Sequence, residues 1–155
     1  MSSKWKKNRR AKFIMIESYV VKSPVWPELT ANDKAVYLEI KWRYDGNNNG
    51  KIGLGAREAA AAIGKSSKDT GKRALDHLAQ LGLIAKVKAS GFSMKSRETA
   101  EWRLTEYVCN VTGELPTKDF MRWSKEASEK TTVRPQGHTV RPQGQWDLKR
   151  EAANA

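Results

Sequence analysis

The chain has 155 residues, 30% of them charged and 8% aromatic, with 29 Lys and Arg against 17 Asp and Glu. That length suits one ordinary domain with tails, and the net charge of +12 favours a polyanionic partner: DNA, RNA or an acidic membrane surface. No stretch approaches the roughly 20 apolar residues of a membrane span, and no apolar run follows the basic start to form a secretory leader. The single cysteine, Cys109, has no partner for an internal disulfide, so the cytoplasm is the default compartment.

Residues 1–12 carry six cations (Lys4, Lys6, Lys7, Arg9, Arg10, Lys12) and no acid, half of the net charge. They read as a disordered basic arm able to lie along phosphates, with Trp5 free to stack on a base; the plain alternative is a solvated tail. Phe13 to Ile16 is a short apolar run, a strand or a helix start, continued by Tyr19 to Val21 and broken at Ser23-Pro24 and Trp26-Pro27. Thr30, with Asp33 three residues on, is a capping box for a helix over 31–44. That helix carries Val36, Tyr37, Ile40 and Tyr44 on one face and Leu38 and Trp42 on another, which predicts burial on more than one side. Residues 45–50, DGNNNG, are a polar loop.

Ile52 and Leu54 alternate around Gly53 as a short strand over 52–54, and Gly55 is a weak cap for a helix over 56–63. Gly64 suits a left-handed helix end. Ser66, with Asp69, predicts an acidic capping box for a second helix over 67–81. Gly71, Leu75, Leu78, Ala79 and Gly82 share one stripe of that helix. Ser67, Lys68, Thr70, Lys72, Arg73 and His77 lie mostly off it. Mid-helix glycine costs about 1 kcal/mol relative to alanine, so Gly71 predicts a close crossing with the alanine-rich helix before it. A strand over 83–88, a loop over 89–100 and a strand over 101–107 follow, a hairpin with a basic tip. Thr117 to Trp123 reads as one capped turn docking Phe120 and Trp123.

The order helix, strand, helix, helix, strand, loop, strand predicts an α+β fold, a winged helix-turn-helix over 13–110, with an extension over 111–125 packed on it. A general α+β domain is the alternative. Residues 126–155 read as a flexible, nearly neutral tail in which TVRPQG occurs at 132–137 and again at 139–144. Arg-Pro in an extended chain suits a minor groove, but the low charge favours a partner-binding linear motif within 131–144.

Four landmarks carry a family resemblance: Ser23 to Thr30 (SPVWPELT), Arg43 to Ile52 (RYDGNNNGKI), Ala100 to Thr105 (AEWRLT) and Thr117 to Trp123 (TKDFMRW). Together with the helix-turn-helix they resemble small winged-helix proteins of bacterial genomes, phages and mobile elements, over roughly 110 residues from Phe13 to Trp123. Gly55 departs from that pattern, which tends to place a serine cap there. The resemblance implies a DNA-binding regulator, and a likeness to the DNA-binding domains of phage and plasmid replication initiators.

Catalysis has little support. His77 and His138 are far apart, Cys109 has no CxxC partner, and Gly64-Lys65-Ser66 follows alanine-rich helix where a phosphate loop needs an upstream glycine. No enzymatic activity, metal or cofactor is expected. Binding has a clear physical basis. The start of helix 67–81 suits the major groove, and Lys65, Ser66, Ser67, Lys68, Thr70, Lys72 and Arg73 supply its donors. Asp69 reads as a helix-start charge able to accept from cytosine. Lys86, Lys88, Lys95 and Arg97 would let the wing grip backbone or minor groove, with Lys6, Lys7, Arg9 and Arg10 doing so from the arm. His77 reads as surface or packing.

The expected function is therefore a sequence-specific double-stranded DNA-binding transcriptional regulator associated with the bacterial nucleoid, with no membrane partner. An origin-binding replication or recombination accessory factor and a winged-helix protein-interaction module are the alternatives. One recognition helix per chain makes a homodimer, the arm, or both the route to high specificity. Target site, sign of regulation and effector are not legible.

Overall fold

The computed structural model describes residues 12–92 and 97–126; the side chains of Phe92 and Arg97 lie outside that part. The arm at 1–11, the tip of the hairpin at 93–96 and the repeat-bearing tail beyond 126 lie outside the described residues, so the expectations placed there stay at sequence level. The chain divides into two units, Met1–Ser124 and Lys125–Ala155, and the architecture below belongs to the first.

Four helices and a small antiparallel sheet make this unit α+β: α1 (Ser18–Val21), α2 (Ala31–Arg43), α3 (Ala56–Ala62), α4 (Lys68–Gln80), with strands β1 (Ile52–Gly53), β2 (Ile84–Lys88), β3 (Gly91–Phe92), β4 (Arg97–Glu98) and β5 (Glu101–Leu104). The sheet order is β1-β5-β2, and β3 pairs with β4 as a separate two-stranded ladder. Ile84 faces Leu104 and Lys86 faces Trp102, and the register slips between Lys86 and Lys88. Phe13 to Ile16 forms neither strand nor helix; the single turn of α1 follows it instead.

Several helix ends have a local chemical cause. Thr30 and Asp33 form the expected capping box: the Asp33 amide donates to Thr30 Oγ1 at 3.2 Å and the Thr30 amide to Asp33 Oδ2 at 2.8 Å. Gly55 has no side chain to cap α3, and its amide donates to Glu58 Oε2 at 2.9 Å. Gly64, at φ +68°, closes α3: Lys65 N–H reaches Ala60 O at 2.8 Å and Gly64 N–H reaches Ala61 O at 3.0 Å. Gly82, at φ +77°, closes α4 by the same pattern, so it serves as a helix stop rather than as a member of the α4 stripe.

The expected capping box at Ser66 and Asp69 is absent. Ser67 occupies the N-cap position, and its side chain makes no capping bond. The helix begins one residue later than expected, and both serines are exposed.

The core gathers Val36, Tyr37 and Ile40 of α2, Ala59 of α3, Ala74, Leu75 and Leu78 of α4, and Ile52, Leu54, Ile84, Trp102 and Leu104 of the sheet. Trp102 Nε1 donates to Leu54 O at 2.9 Å, tying β5 to the residue that follows β1. Phe120 is fully buried, so the turn at 117–123 completes this core. Gly71 marks the α3–α4 crossing: a Cβ there would stand 2.2 Å from Ala56 O and 2.5 Å from Ala60 N. The second buried face expected for α2 is not formed. Leu38 and Trp42 are 37% and 43% exposed, and Lys12 Nζ lies 4.0 Å from the Trp42 ring centroid.

Two polar devices had no counterpart in the sequence reading. Asn49, in the polar loop, is fully buried. Its amide nitrogen donates to Leu104 O, Tyr107 O and Val108 O at 3.0–3.2 Å, and its Oδ1 accepts from the Leu104 amide at 2.7 Å. Lys41 of α2 is also buried. Its ammonium reaches Glu106 Oε1 at 2.6 Å, Tyr107 Oη at 2.7 Å and Glu17 Oε2 at 3.1 Å.

Candidate functional site

The exposed surface of α4 is where the residues singled out in the sequence come together. Gly71, Ala74, Leu75 and Leu78 face the core. At 3.6 residues per turn the opposite side then carries Asp69, Arg73, Asp76 and Gln80, and all of them are exposed. Lys72 flanks this ridge on one side, Thr70 and His77 on the other. Lys65, Ser66, Ser67 and Lys68 stand exposed at the helix start, and their side chains have no partner among the described residues.

Lys72 and Arg73, adjacent in sequence, differ in state. Lys72 Nζ is held by Asp76 Oδ2 at 2.7 Å, an i,i+4 pair, and that hydrogen bond raises the ammonium's pKa above its ordinary value. Lys72 lines a cleft of about 160 Å³ together with Leu54, Ser90 and Trp102. Arg73 has no carboxylate partner among the described residues and lines a different cleft, of about 320 Å³, between α4 and the start of α2. Thr30, Asn32 and Asp33 form one wall of that cleft, and Thr70, Arg73 and His77 the other.

His77 has a defined role. Its Nδ1 lies 2.8 Å from Asp33 Oδ2, the same oxygen that accepts from the Thr30 amide and hydroxyl. The sequence reading of His77 as surface or packing missed this bond. The signal for it was Asp33 itself, a cap carboxylate with an acceptor site to spare.

The hairpin corrects a second expectation: residues 89–100 are not a plain loop. Gly91 pairs with Glu98 and Phe92 with Arg97. Lys88 Nζ meets Glu98 Oε2 at 3.1 Å, and Lys86 Nζ lies 5.0 Å from the Trp102 ring centroid. Two of the four wing cations are therefore engaged within the domain. Lys95 lies outside the described residues, as do Lys6, Lys7, Arg9 and Arg10 of the arm.

The three-element knot around Lys41 is the other concentration of charge. Burial works against the Glu17 carboxylate, but hydrogen bonds from Tyr107 and Lys41 outweigh it and hold its pKa below the ordinary value. At Glu106 burial dominates, and its pKa is raised despite hydrogen bonds from Lys41 and Tyr37. Desolvation first, then neighbouring carboxylates, push the Tyr37 and Tyr107 hydroxyls upward. Lys41, Glu106 and Tyr37 are buried, Glu17 and Tyr107 partly so, and none of them lines either cleft.

Among the described residues, no group of three or more His, Cys, Asp or Glu side chains is placed to hold a metal ion. No described helix is long and apolar enough to cross a membrane. No protein-family model, curated protein or solved structure matches the chain.

Proposed function

We propose that the chain is a winged-helix protein that binds double-stranded DNA and regulates transcription, with α4 entering the major groove and β3–β4 acting as the wing. The observation that carries this reading is the start of α4. Lys65, Ser66, Ser67, Lys68 and Arg73 are exposed and have no protein partner among the described residues, at a helix end whose unpaired amides favour phosphate. The element order and the antiparallel three-stranded sheet support the winged-helix reading. Asp69 and Asp76 on the outward ridge temper the local charge, so Arg73 is placed for phosphate, and sequence readout rests on the exposed donors at the helix start, Lys65 to Lys68, and on acceptance from cytosine by Asp69.

Fluorescence anisotropy of the full chain on selected duplexes, over a salt series, tests the proposal. Affinity should fall steeply with salt, and Lys72→Ala/Arg73→Ala should lose most of it. Arg73→Ala alone should account for the larger share, because Lys72 already serves Asp76. Parent-like binding by the double variant to a selected target would remove α4 from the role. No detectable affinity for any duplex at low salt would remove DNA altogether.

A further inference from the structure

We propose that the cleft between the start of α2 and α4 is a seat for a phosphate group, supplied either by a backbone phosphodiester of a bound duplex or by a small phosphorylated ligand. For the first source it rests on the DNA-binding reading above; for the second it rests on the cleft alone.

The chemistry of the walls selects the ligand. Asp33 Oδ2 accepts from the Thr30 amide at 2.8 Å and from the Thr30 hydroxyl at 2.7 Å, and stands 2.8 Å from His77 Nδ1. A carboxylate oxygen can only accept here, so Nδ1 carries a proton whether the imidazole is neutral or charged. Nε2 is then the nitrogen that gains or loses a proton, and it has no partner among the described residues. Arg73 supplies a guanidinium with no carboxylate partner among the described residues, Thr70 a hydroxyl and Asn32 an amide, all on the same walls. The titratable or charged groups lining the cleft are Asp33 from α2 and Arg73 and His77 from α4. Asp33 is buried, with its Oδ2 committed to neighbouring donors.

What remains open to a ligand is one fixed cation, one imidazole able to become a second, and two neutral donors. That set suits a phosphate, whose oxygens take bidentate Arg and imidazolium donors together. At about 320 Å³ the cleft holds a phosphate with part of its sugar or its waters.

The test uses the chain's having only two histidines, His77 and His138. Ring resonances of the full chain are titrated with pH alone, with inorganic phosphate, and with a mixed-sequence duplex at low salt; His77→Gln assigns the signals. A seated phosphate should raise the proton affinity of His77 about tenfold and leave His138 unmoved. Arg73→Ala, checked for a parent-like melting curve, should abolish the shift, and Arg73→Lys should restore part of it. A shift with duplex but not with inorganic phosphate assigns the seat to the DNA backbone; a shift with inorganic phosphate alone assigns it to a small ligand. If neither source moves His77, or both histidines move alike, the seat is refuted. Duplex anisotropy on the same samples separates the two ideas: tight binding with an unmoved His77 sinks the seat and spares the DNA reading. A phosphate-induced shift without duplex binding does the reverse.

Discussion

Gly71 leaves no room for a methyl group. A Cβ there would press on the carbonyl oxygen of Ala56 and the amide nitrogen of Ala60, backbone atoms that cannot rotate aside. Gly71→Ala would gain about 1 kcal/mol of helix propensity, but it would force α3 and α4 apart, at a cost of about 1–3 kcal/mol for overpacking. We expect net destabilisation by urea denaturation; a Gly71→Ala variant more stable than the parent would show that α3 and α4 can separate at little cost. The glycine was readable because glycine in a helix interior is costly and needs a reason. Lys41 was harder to read. It lies one turn after Tyr37, on the same stripe as Val36 and Ile40, and a lysine there looks like the edge of the stripe until the partner carboxylates, 24 residues before and 65 after, are known.

At the scale of elements, the two longest helices start in opposite ways. Thr30 caps α2 through its hydroxyl, whereas Ser67 stands at the start of α4 without a capping bond. Thr30→Ala should therefore cost about 1–2 kcal/mol, and Ser67→Ala much less than the typical 1 kcal/mol of a capping serine. Paired denaturation curves decide this; an equal loss at both sites would mean that Ser67 caps α4 in solution. The elements themselves were legible because periodicity and turn chemistry agree along most of the chain. Gly64 and Thr30 fix helix ends, and alternation fixes β2 and β5. The illegible parts depend on contacts distant in sequence. The β3–β4 pairing needs a register that no residue in 89–100 announces, and Leu38 and Trp42 are apolar yet exposed because no second layer among the described residues covers that side of α2. At the candidate site, the residue types around α4 were readable from sequence. Their division was not: Lys72 turns to Asp76, and Arg73 faces the cleft with His77.

For the molecule as a whole, the buried knot joins the segment before α1, helix α2 and the turn after β5 around one ammonium. Lys41→Met would leave Glu106 as an unpaired buried carboxylate. Loss of one partner of such a pair costs about 3–5 kcal/mol, a large share of the 5–15 kcal/mol typical of a domain. A second change, Glu106→Gln, should recover much of the lost thermal stability, and failure to do so would mean that Lys41 stabilises through packing. The knot also sets a pH dependence. The raised pKa of Glu106 means that the folded state takes up its proton first, so stability increases as pH falls through that raised value. The lowered pKa of Glu17 gives stability that is present above the ordinary glutamate value and lost as pH falls through its folded one. Together they place a stability maximum near the ordinary glutamate pKa, and Glu106→Gln should remove its rise on the alkaline side. Melting temperatures over a pH series check this.

Asn49 carries a kinetic consequence. Its side-chain partners at Leu104, Tyr107 and Val108 are 55–59 residues away, so the clasp cannot close until the chain between has been gathered in. Contacts of such long sequence separation bear a large loop-closure cost. The clasp should form after the rate-limiting step of folding and act afterwards as a bolt on the finished domain. Asn49→Ala should thus hardly change the folding rate and should speed unfolding, a difference visible as movement of only one arm of the chevron. The polar loop would then govern how long the folded domain lasts rather than how quickly it is made.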